Sequence, residues 1–483
     1  MKENSKKRIS WKLVLLLQFV SSILLMVSVI KLDALPELYT CALGIVLAIL
    51  FLIIVVLIRP RNKHKKRSTI GKFISFLLTL SMLVGTFAVS QGNKALESIS
   101  GANSQVTRFS LVVLDDSEYQ HISHLKYKNI EYNSSVDAFY NELATDELSE
   151  YIVAVLIEQN DFIEMASHLY DGTTDAILIN EAYLKNMEEE YSDFEADTRI
   201  IWNYDIREDS EDIKKEANVV DECFNIYISG IDTRGAVATV SRSDVNMIVT
   251  VNPKTRQILL TSIPRDYYID IAEFGAKDKL THAGIYGIDN SVKTLENLFG
   301  IEINYFARLN FTSMETIVDA LGGITVDSPY EFITRMGKYQ INQGINHLNG
   351  KQALSFVRER KALPNGDNDR VRNQQIAIEA MVDKMTSPAI ITNYSDILNS
   401  IAGSFETNMS AKEIAALLKF QLKEMVQWDI QHIQVDGEGI QQFGGYLHPY
   451  QELWYMIPNY DSVYYASSII EKMHNNEIIV LEE

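Results

Sequence analysis

Phe224-Asn225-Ile226-Tyr227-Ile228-Ser229-Gly230-Ile231-Asp232 is a short run rich in β-branched and aromatic residues, halted by a glycine and an acid. Val245–Val251 and Gln257–Ile263 repeat the pattern, joined at Asn252-Pro253-Lys254 by turn-forming residues. Three such runs in succession read as adjacent antiparallel strands. The end of one then lies beside the start of the next, so Asp232, Arg242 and Asp244 gather near one sheet edge, and Arg265 follows the third strand. Helical periodicity appears at Ser291–Phe299 and Thr312–Leu321, with a strand at Asn304–Leu309 between them and a glycine stop at Gly322-Gly323. Two more helices, Gly350–Lys361 and Asn368–Thr386, present Arg358 and, four residues apart on one face, Arg370 and Gln374. Strands interleaved with helices predict an α/β fold.

Arginine is concentrated in this stretch. Thirteen arginines follow residue 90; ten of them lie between residues 221 and 386, and residues 387–483 have none. The planar guanidinium fork holds phosphate oxygens two at a time and keeps its charge at any working pH. Two neighbouring carboxylates are what Mg2+ needs to sit beside substrate phosphates. The pattern reads as a pyrophosphate site. His282 and His347 have no second histidine at ligand spacing and read as structural residues. No Gly-x-Ser-x-Gly turn offers a serine nucleophile.

The remainder of the chain fixes the setting. Leu13–Ile30, Tyr39–Ile58 and Phe73–Val89 are apolar and long enough to cross a membrane, although the third also resembles the apolar region of a signal peptide. Basic residues cluster before the first run and at Arg59–Lys72, which places both on the cytoplasmic side and residues 91–483 outside. Residues 1–90 carry a balance of +10 and the whole chain −20, leaving −30 for the exterior part. That much negative charge repels a nucleic-acid backbone. Cys41 lies in a span and Cys223 outside, so the two cannot pair. Residues 91–106 read as a linker and 107–216 as a small α/β accessory domain, with strands expected at Phe109–Leu114, Tyr151–Leu156 and Ala176–Ile179. Asp115-Asp116 and Glu188-Glu189-Glu190 read as solvated charge runs. The core follows at 217–390, and 391–483 is expected to pack with it.

Five ordered strings identify a family: Ile263-Pro264-Arg265-Asp266, Lys279-Leu280-Thr281-His282-Ala283, Asp319-Ala320-Leu321-Gly322-Gly323-Ile324, Leu348-Asn349-Gly350-Lys351-Gln352-Ala353-Leu354, and Arg358-Glu359-Arg360 through Gly366-Asp367-Asn368-Asp369-Arg370 to Gln374-Gln375. Together they resemble the LytR-CpsA-Psr family, and the three spans with the extra domain resemble its streptococcal capsule-locus members. The resemblance implies an α/β/α sandwich whose interior tunnel takes an isoprenoid chain. It implies transfer of an undecaprenyl-pyrophosphate-linked glycopolymer, here capsular polysaccharide, to peptidoglycan at the membrane, alongside other capsule-assembly proteins. By motif, Asp232 and Asp244 resemble the Mg2+ ligands. Arg242, Arg265, Arg358, Arg360 and Arg370 resemble the pyrophosphate-binding arginines, with Gln374 and Asp367 beside them. Arg265 and Asp232 are the expected catalytic residues, Asp232 as the base. Arg234 and Arg372 fit the pattern less well and read equally as surface residues. Ile317, Val318 and Leu321 on one helix face, and Ile376, Ala380 and Met381 on another, are the expected tunnel lining. A non-catalytic regulator that senses lipid pyrophosphate, or a hydrolase using water as acceptor, needs the same anion site.

Overall fold

Three apolar helices come first in the computed structural model: α1 (Trp11–Leu32), α2 (Glu37–Ile58) and α3 (Lys65–Ile99). Residues 10–59, 65–188, 190–231, 237–387, 397, 400, 405–425, 427–449 and 451–481 are described. Each of the three helices is long and apolar enough to span a bilayer. Inside the bundle, Gln18 is buried and accepts a 2.6 Å hydrogen bond from Ser75, because a polar group facing lipid would have no partner. Helix α3 runs through most of the stretch expected as a linker. Gln91-Gly92-Asn93-Lys94 looks like linker by composition, but Ala95, Leu96 and Ile99 bury against Ala415 of a distant helix, and that burial keeps the backbone helical.

The accessory domain is one five-stranded sheet. Its strands are β1 (Ser104–Leu114), β2 (Asn129–Asn133), β3 (Val155–Gln159), β4 (Ala176–Asn180) and β5 (Thr198–Asp209), in the order β3-β2-β4-β1-β5. Helices α4 (Ala138–Tyr151) and α5 (Phe162–Asp171) cover opposite faces. The strand expected from Tyr151 starts at Val155 instead, because α4 runs on to Tyr151. Strand β5, unread from the sequence, is half exposed along its length and carries charges on its open face, so its periodicity is weak.

The core sheet has six strands. Strands β6 (Phe224–Ile231), β7 (Ser243–Asn252) and β8 (Gln257–Ile263) are the antiparallel trio read from the sequence. Strand β9 (Tyr305–Asn310) pairs parallel with β6. The edges come from the last part of the chain: β10 (Phe405–Thr407) beside β9, and β11 (Asp429–Gln434) beside β8. Two helix layers cover the sheet. On one face Ile248 and Leu259 pack with α6 (Ile288–Phe299) and α11 (Tyr460–His474). On the other, Met247, Val249 and Leu260 pack with α9 (Asp367–Thr386) and α10 (Ala411–Glu424). Successive residues of β7 point to opposite layers, as the two-residue period of a strand requires. The result is an α/β/α sandwich, with 405–481 supplying two of its strands and two of its helices. Flanking the sheet are also α7 (Phe311–Ala320) and α8 (Gly350–Arg358), packed with α9 around Val318, Leu354 and Phe356.

The two sheets are stitched together by the chain before β7. Val106 of β1 donates to the Ala238 carbonyl and accepts from the Val240 amide, at 2.9 and 2.8 Å. The segment leading to Arg242 is thereby pinned to the accessory sheet.

Candidate functional site

The arginines and carboxylates meet at the end of the core sheet where β7 begins. Asp244 accepts from the Arg265 guanidinium at 2.9 Å and from the Thr281 hydroxyl at 3.2 Å. Burial alone would raise the Asp244 carboxyl, but Arg265, then Arg242 and Arg370, hold it well below the usual carboxylate range. Arg265 is in turn pushed above its ordinary value, chiefly by Asp244. Arg370 shifts the other way: burial lowers it, Arg265 and Arg360 lower it further, and Asp367 opposes. Asp367 stands 2.8 Å from Arg370 and 3.6 Å from Arg360.

The Nε–H groups of Arg242, Arg265 and Arg370 are all buried and have no hydrogen-bond partner among the described residues, with the Asp266 carboxylate 3.6 Å from that of Arg265. Three cationic donors withdrawn from water without acceptors is a costly arrangement. An anion with several oxygens relieves it.

Local chemistry explains why these side chains converge. The Thr281 amide donates to the Arg265 carbonyl at 2.8 Å, fixing the chain as it leaves β8. Gly284, in the turn after Thr281, passes so close to the start of β7 that a Cβ would lie 2.6 Å from the Ser241 carbonyl, so only glycine fits. Glu359 separates its two neighbours: buried, it accepts from the Arg335, Arg360 and Ala362 amides at 2.5, 3.0 and 3.0 Å. That turn sends Arg358 to the site and Arg360 outward to Asp367. Asp369 is structural, since its carboxylate accepts from the Asn365 amide at 2.8 Å and ties the loop to α9.

An apolar cavity of about 270 Å3 opens from this cluster. Asp244, Arg265, Arg358, Arg370 and Gln374 stand at its polar end, and Val245, Met314, Leu354, Ala377, Ile378 and Met381 line the remainder. Gly230 makes room there, because a Cβ would come within 2.7 Å of Val245. Met381 lines the cavity as expected. Val318 and Leu321 do not, being packed inside the α7–α8–α9 cluster, and neither Ile317, Ile376 nor Ala380 is among the lining residues. The periodicity marked the apolar side of α7 but not which neighbour that side meets.

A second cavity, of about 500 Å3, lies between the two sheets and shares Asp244 and Arg358 with the first. Arg242 belongs to this one. Asp232 and Arg234 lie outside the described residues. Arg372 is exposed, and neither Arg360 nor Asp367 lines either cavity. His282 is fully buried beside Asp278 at 2.9 Å, and His347 bonds Thr325 at the surface.

No group of three or more histidine, cysteine, aspartate or glutamate side chains is placed to hold a metal among the described residues. Asp244 nonetheless suits Mg2+, a cation held by one or two carboxylates while substrate phosphates and water complete its shell. It is a hard oxygen donor kept ionised by its neighbours, at the polar end of the cavity. The residues missed by sequence reasoning are those of the second cavity, Thr239, Lys185 and Arg199 among them. They come from both domains, and no local spacing could bring them together.

The LytR_cpsA_psr family model matches residues 188–456, more than half of the chain. The chain is 35% identical over 230 residues to a polyisoprenyl-teichoic acid–peptidoglycan teichoic acid transferase, TagU, of Bacillus anthracis, covering 47% of this chain and 74% of that protein. It is 33% identical over 252 residues to the TagU of Bacillus licheniformis, covering 51% and 80%. Among solved structures, B. subtilis TagV is similar at 26% identity with a TM-score of 0.45, over 54% of this chain and 99% of that one.

Proposed function

The chain belongs to the LytR_cpsA_psr family, and from the geometry of its arginine cluster we propose that it transfers a polyprenyl-pyrophosphate-linked glycopolymer to peptidoglycan. The observation that carries this reading is the set of three buried guanidinium Nε–H groups without a hydrogen-bond partner among the described residues, those of Arg265 and Arg370 at the polar end of the apolar cavity and that of Arg242 in the adjoining one. A ligand answering both features has a charged pyrophosphate joined to a hydrocarbon chain. Each methylene taken into the cavity contributes about 0.8 kcal/mol, so the lipid supplies affinity while the arginines set orientation.

Phosphoryl transfer asks the protein for positioning and charge neutralisation more than for covalent help. Arg265, held rigid by Asp244 and by the Thr281–Arg265 backbone bond, is placed to bind an equatorial oxygen. Arg370, destabilised chiefly by burial, gains most from the negative charge that builds up as the polyprenyl phosphate departs. Gln374, one turn further along α9, adds an uncharged polar group. The apolar lining keeps water from competing with the sugar hydroxyl. Asp244 is a poor base, since its arginines keep it ionised, which leaves the role of proton acceptor to Asp232.

Asp244, with Asp232, would hold Mg2+, which when bound supplies positive charge between the two phosphates. Capsular polysaccharide is the polymer we assign. The three spans and four of the five accessory strands lie outside the matched family region and resemble the family's capsule-locus members. Peptidoglycan and other capsule-assembly proteins are the partners on that reading. The basic residues before α1 and between α2 and α3 support a sandwich outside the cell; on that reading, protease added to intact protoplasts should remove everything after α3.

The deciding experiment incubates the purified protein with Mg2+, a lipid-linked oligosaccharide and peptidoglycan. A covalent glycan–peptidoglycan phosphodiester is expected. Binding of the lipid without any product would mean a sensor instead, and free phosphorylated glycan without attachment would mean a hydrolase.

A further inference from the structure

Both cavities touch the arginine cluster, but their walls differ in kind. The 270 Å3 cavity runs back among aliphatic side chains, whereas the 500 Å3 cavity mixes charges of both signs and hydroxyls with apolar side chains such as Val112, Phe194 and Ile200. Its core side carries Thr239, Ser241 and Arg242, and its accessory side Glu181, Lys185 and Arg199. Asp244 and Arg358 stand in both walls, so the two spaces meet where the pyrophosphate is held.

A lipid-linked donor is continuous through its pyrophosphate, with hydrocarbon on one side and sugar on the other. With the hydrocarbon in the apolar cavity, the first sugar leaves from the shared rim into the other one. The wall chemistry matches that occupant. A pyranose carries no net charge and offers hydroxyls that both donate and accept, so it pairs with carboxylates and guanidinium groups in near balance. An isoprenoid needs an apolar wall, and a polyanion needs one sign of charge. One buried polar atom of this wall also awaits a ligand. The Thr239 hydroxyl, only 3% exposed, has no hydrogen-bond partner among the described residues, while Arg242 beside it donates to Asn186 Oδ1 at 3.5 Å.

We propose that the cavity between the two sheets is the subsite for the first sugar of the donor, and that the accessory domain exists in part to wall it. The inference rests on the transferase reading above and gives the accessory domain a role in polymer choice. The pinning of residues 238–240 to β1 is what holds Thr239 and Arg242 against that wall.

Binding, rather than turnover, tests it. The full-length protein in detergent micelles is titrated with farnesyl pyrophosphate and with the same lipid pyrophosphate bearing one N-acetylglucosamine. The sugar-bearing probe should bind more tightly. Thr239→Val, which exchanges a hydroxyl for a methyl at constant shape, should weaken that probe about fivefold, the scale of one hydrogen bond, and leave farnesyl pyrophosphate unchanged. Thr239→Ser should restore the loss, and Lys185→Ala should act like Thr239→Val from the accessory side. Equal loss for both probes would overturn the proposal, because the residues would then serve the anion site or the fold. No discrimination by the wild-type protein, or no effect of either variant, would overturn it too. If donor binding stays intact while the KM for peptidoglycan rises, the cavity belongs to the acceptor and the proposal fails. A protein that passes these tests yet makes no product would instead refute the transferase reading.

Discussion

The two sheets of this chain differ in how far they satisfy arginine. In the accessory domain, Arg108 is met by Asp205 through two hydrogen bonds of 2.6 and 2.9 Å. Arg199 donates to the carbonyls of Asp115, Ser117 and Tyr119, and only its Nε–H is buried without a partner among the described residues. In the core, Arg242, Arg265 and Arg370 crowd around Asp244, and Arg370 shares Asp367 with Arg360. A fold that needed only stability would settle its charges as the accessory sheet does. Cations assembled in excess of their carboxylates store an unmet demand, and that demand is what a ligand answers.

The contrast breaks most readily at Arg265. Arg265→Ala and Arg265→Lys should both lower kcat/KM for a lipid-linked oligosaccharide by about a hundredfold or more, since lysine keeps the charge but loses the fork. Recovery by lysine would reduce Arg265 to a point charge. Next in size is Asp244→Ala, which removes a hard oxygen ligand. The Mg2+ concentration giving half-maximal transfer should rise by about tenfold or more, and an unchanged titration would exclude Asp244 as a ligand.

Two further variants sharpen the comparison. Met381→Trp fills the apolar cavity and should weaken a long polyprenyl pyrophosphate by about tenfold while sparing a short soluble analogue. Val318→Trp serves as its control: Val318 is packed solid, so overfilling it should cost about 1–3 kcal/mol of stability or more and move both ligands together. Asp175→Ala has the smallest functional effect. Asp175 accepts from Tyr119 at 2.5 Å and from the Asn129 amide at 2.9 Å. Losing these should cost about 1–2 kcal/mol, a fall of several degrees in the thermal midpoint, with pyrophosphate affinity unchanged. A large loss of affinity would show that the accessory sheet carries more than a wall.

Much of the core was legible because its signals are local. The β6–β7–β8 trio, the strand at Tyr305–Asn310 and the helices bearing Arg358 and Arg370 follow from periodicity and turn residues within a few positions of themselves. The family strings, however, mix chemistry with joinery. Asp319 accepts from the Gly350 amide at 2.7 Å, and Asn349 and Gln352 form a reciprocal cap on α8, so two of the five strings serve mainly to hold helices together, and of their residues Leu354 alone lines either cavity. Other features were hidden because distance creates them. The edge strands β10 and β11 arrive about 95 and 165 residues after the strands they pair with, the helical state of residues 91–99 depends on Ala415, and the second cavity needs both sheets. The tunnel face of α7 was misread for the same reason, since an apolar stripe does not say whether protein or ligand covers it.

Helix α3 leaves the apolar run at Val89 and continues unbroken to Ile99, where it is gripped by α10. Lys419 of α10 meets Asp33, at the end of α1, at 3.1 Å. Those ten residues rise about 15 Å, which makes the helix a mast, not a rope. It sets the altitude of the arginine cluster above the bilayer, and its register sets the compass bearing of the cavity mouths. Each inserted residue would lift the sandwich by about 1.5 Å and swing it by about 100°. On the proposed topology, the protein works at one storey of the wall, the one nearest the membrane, and the polymer is handed over there.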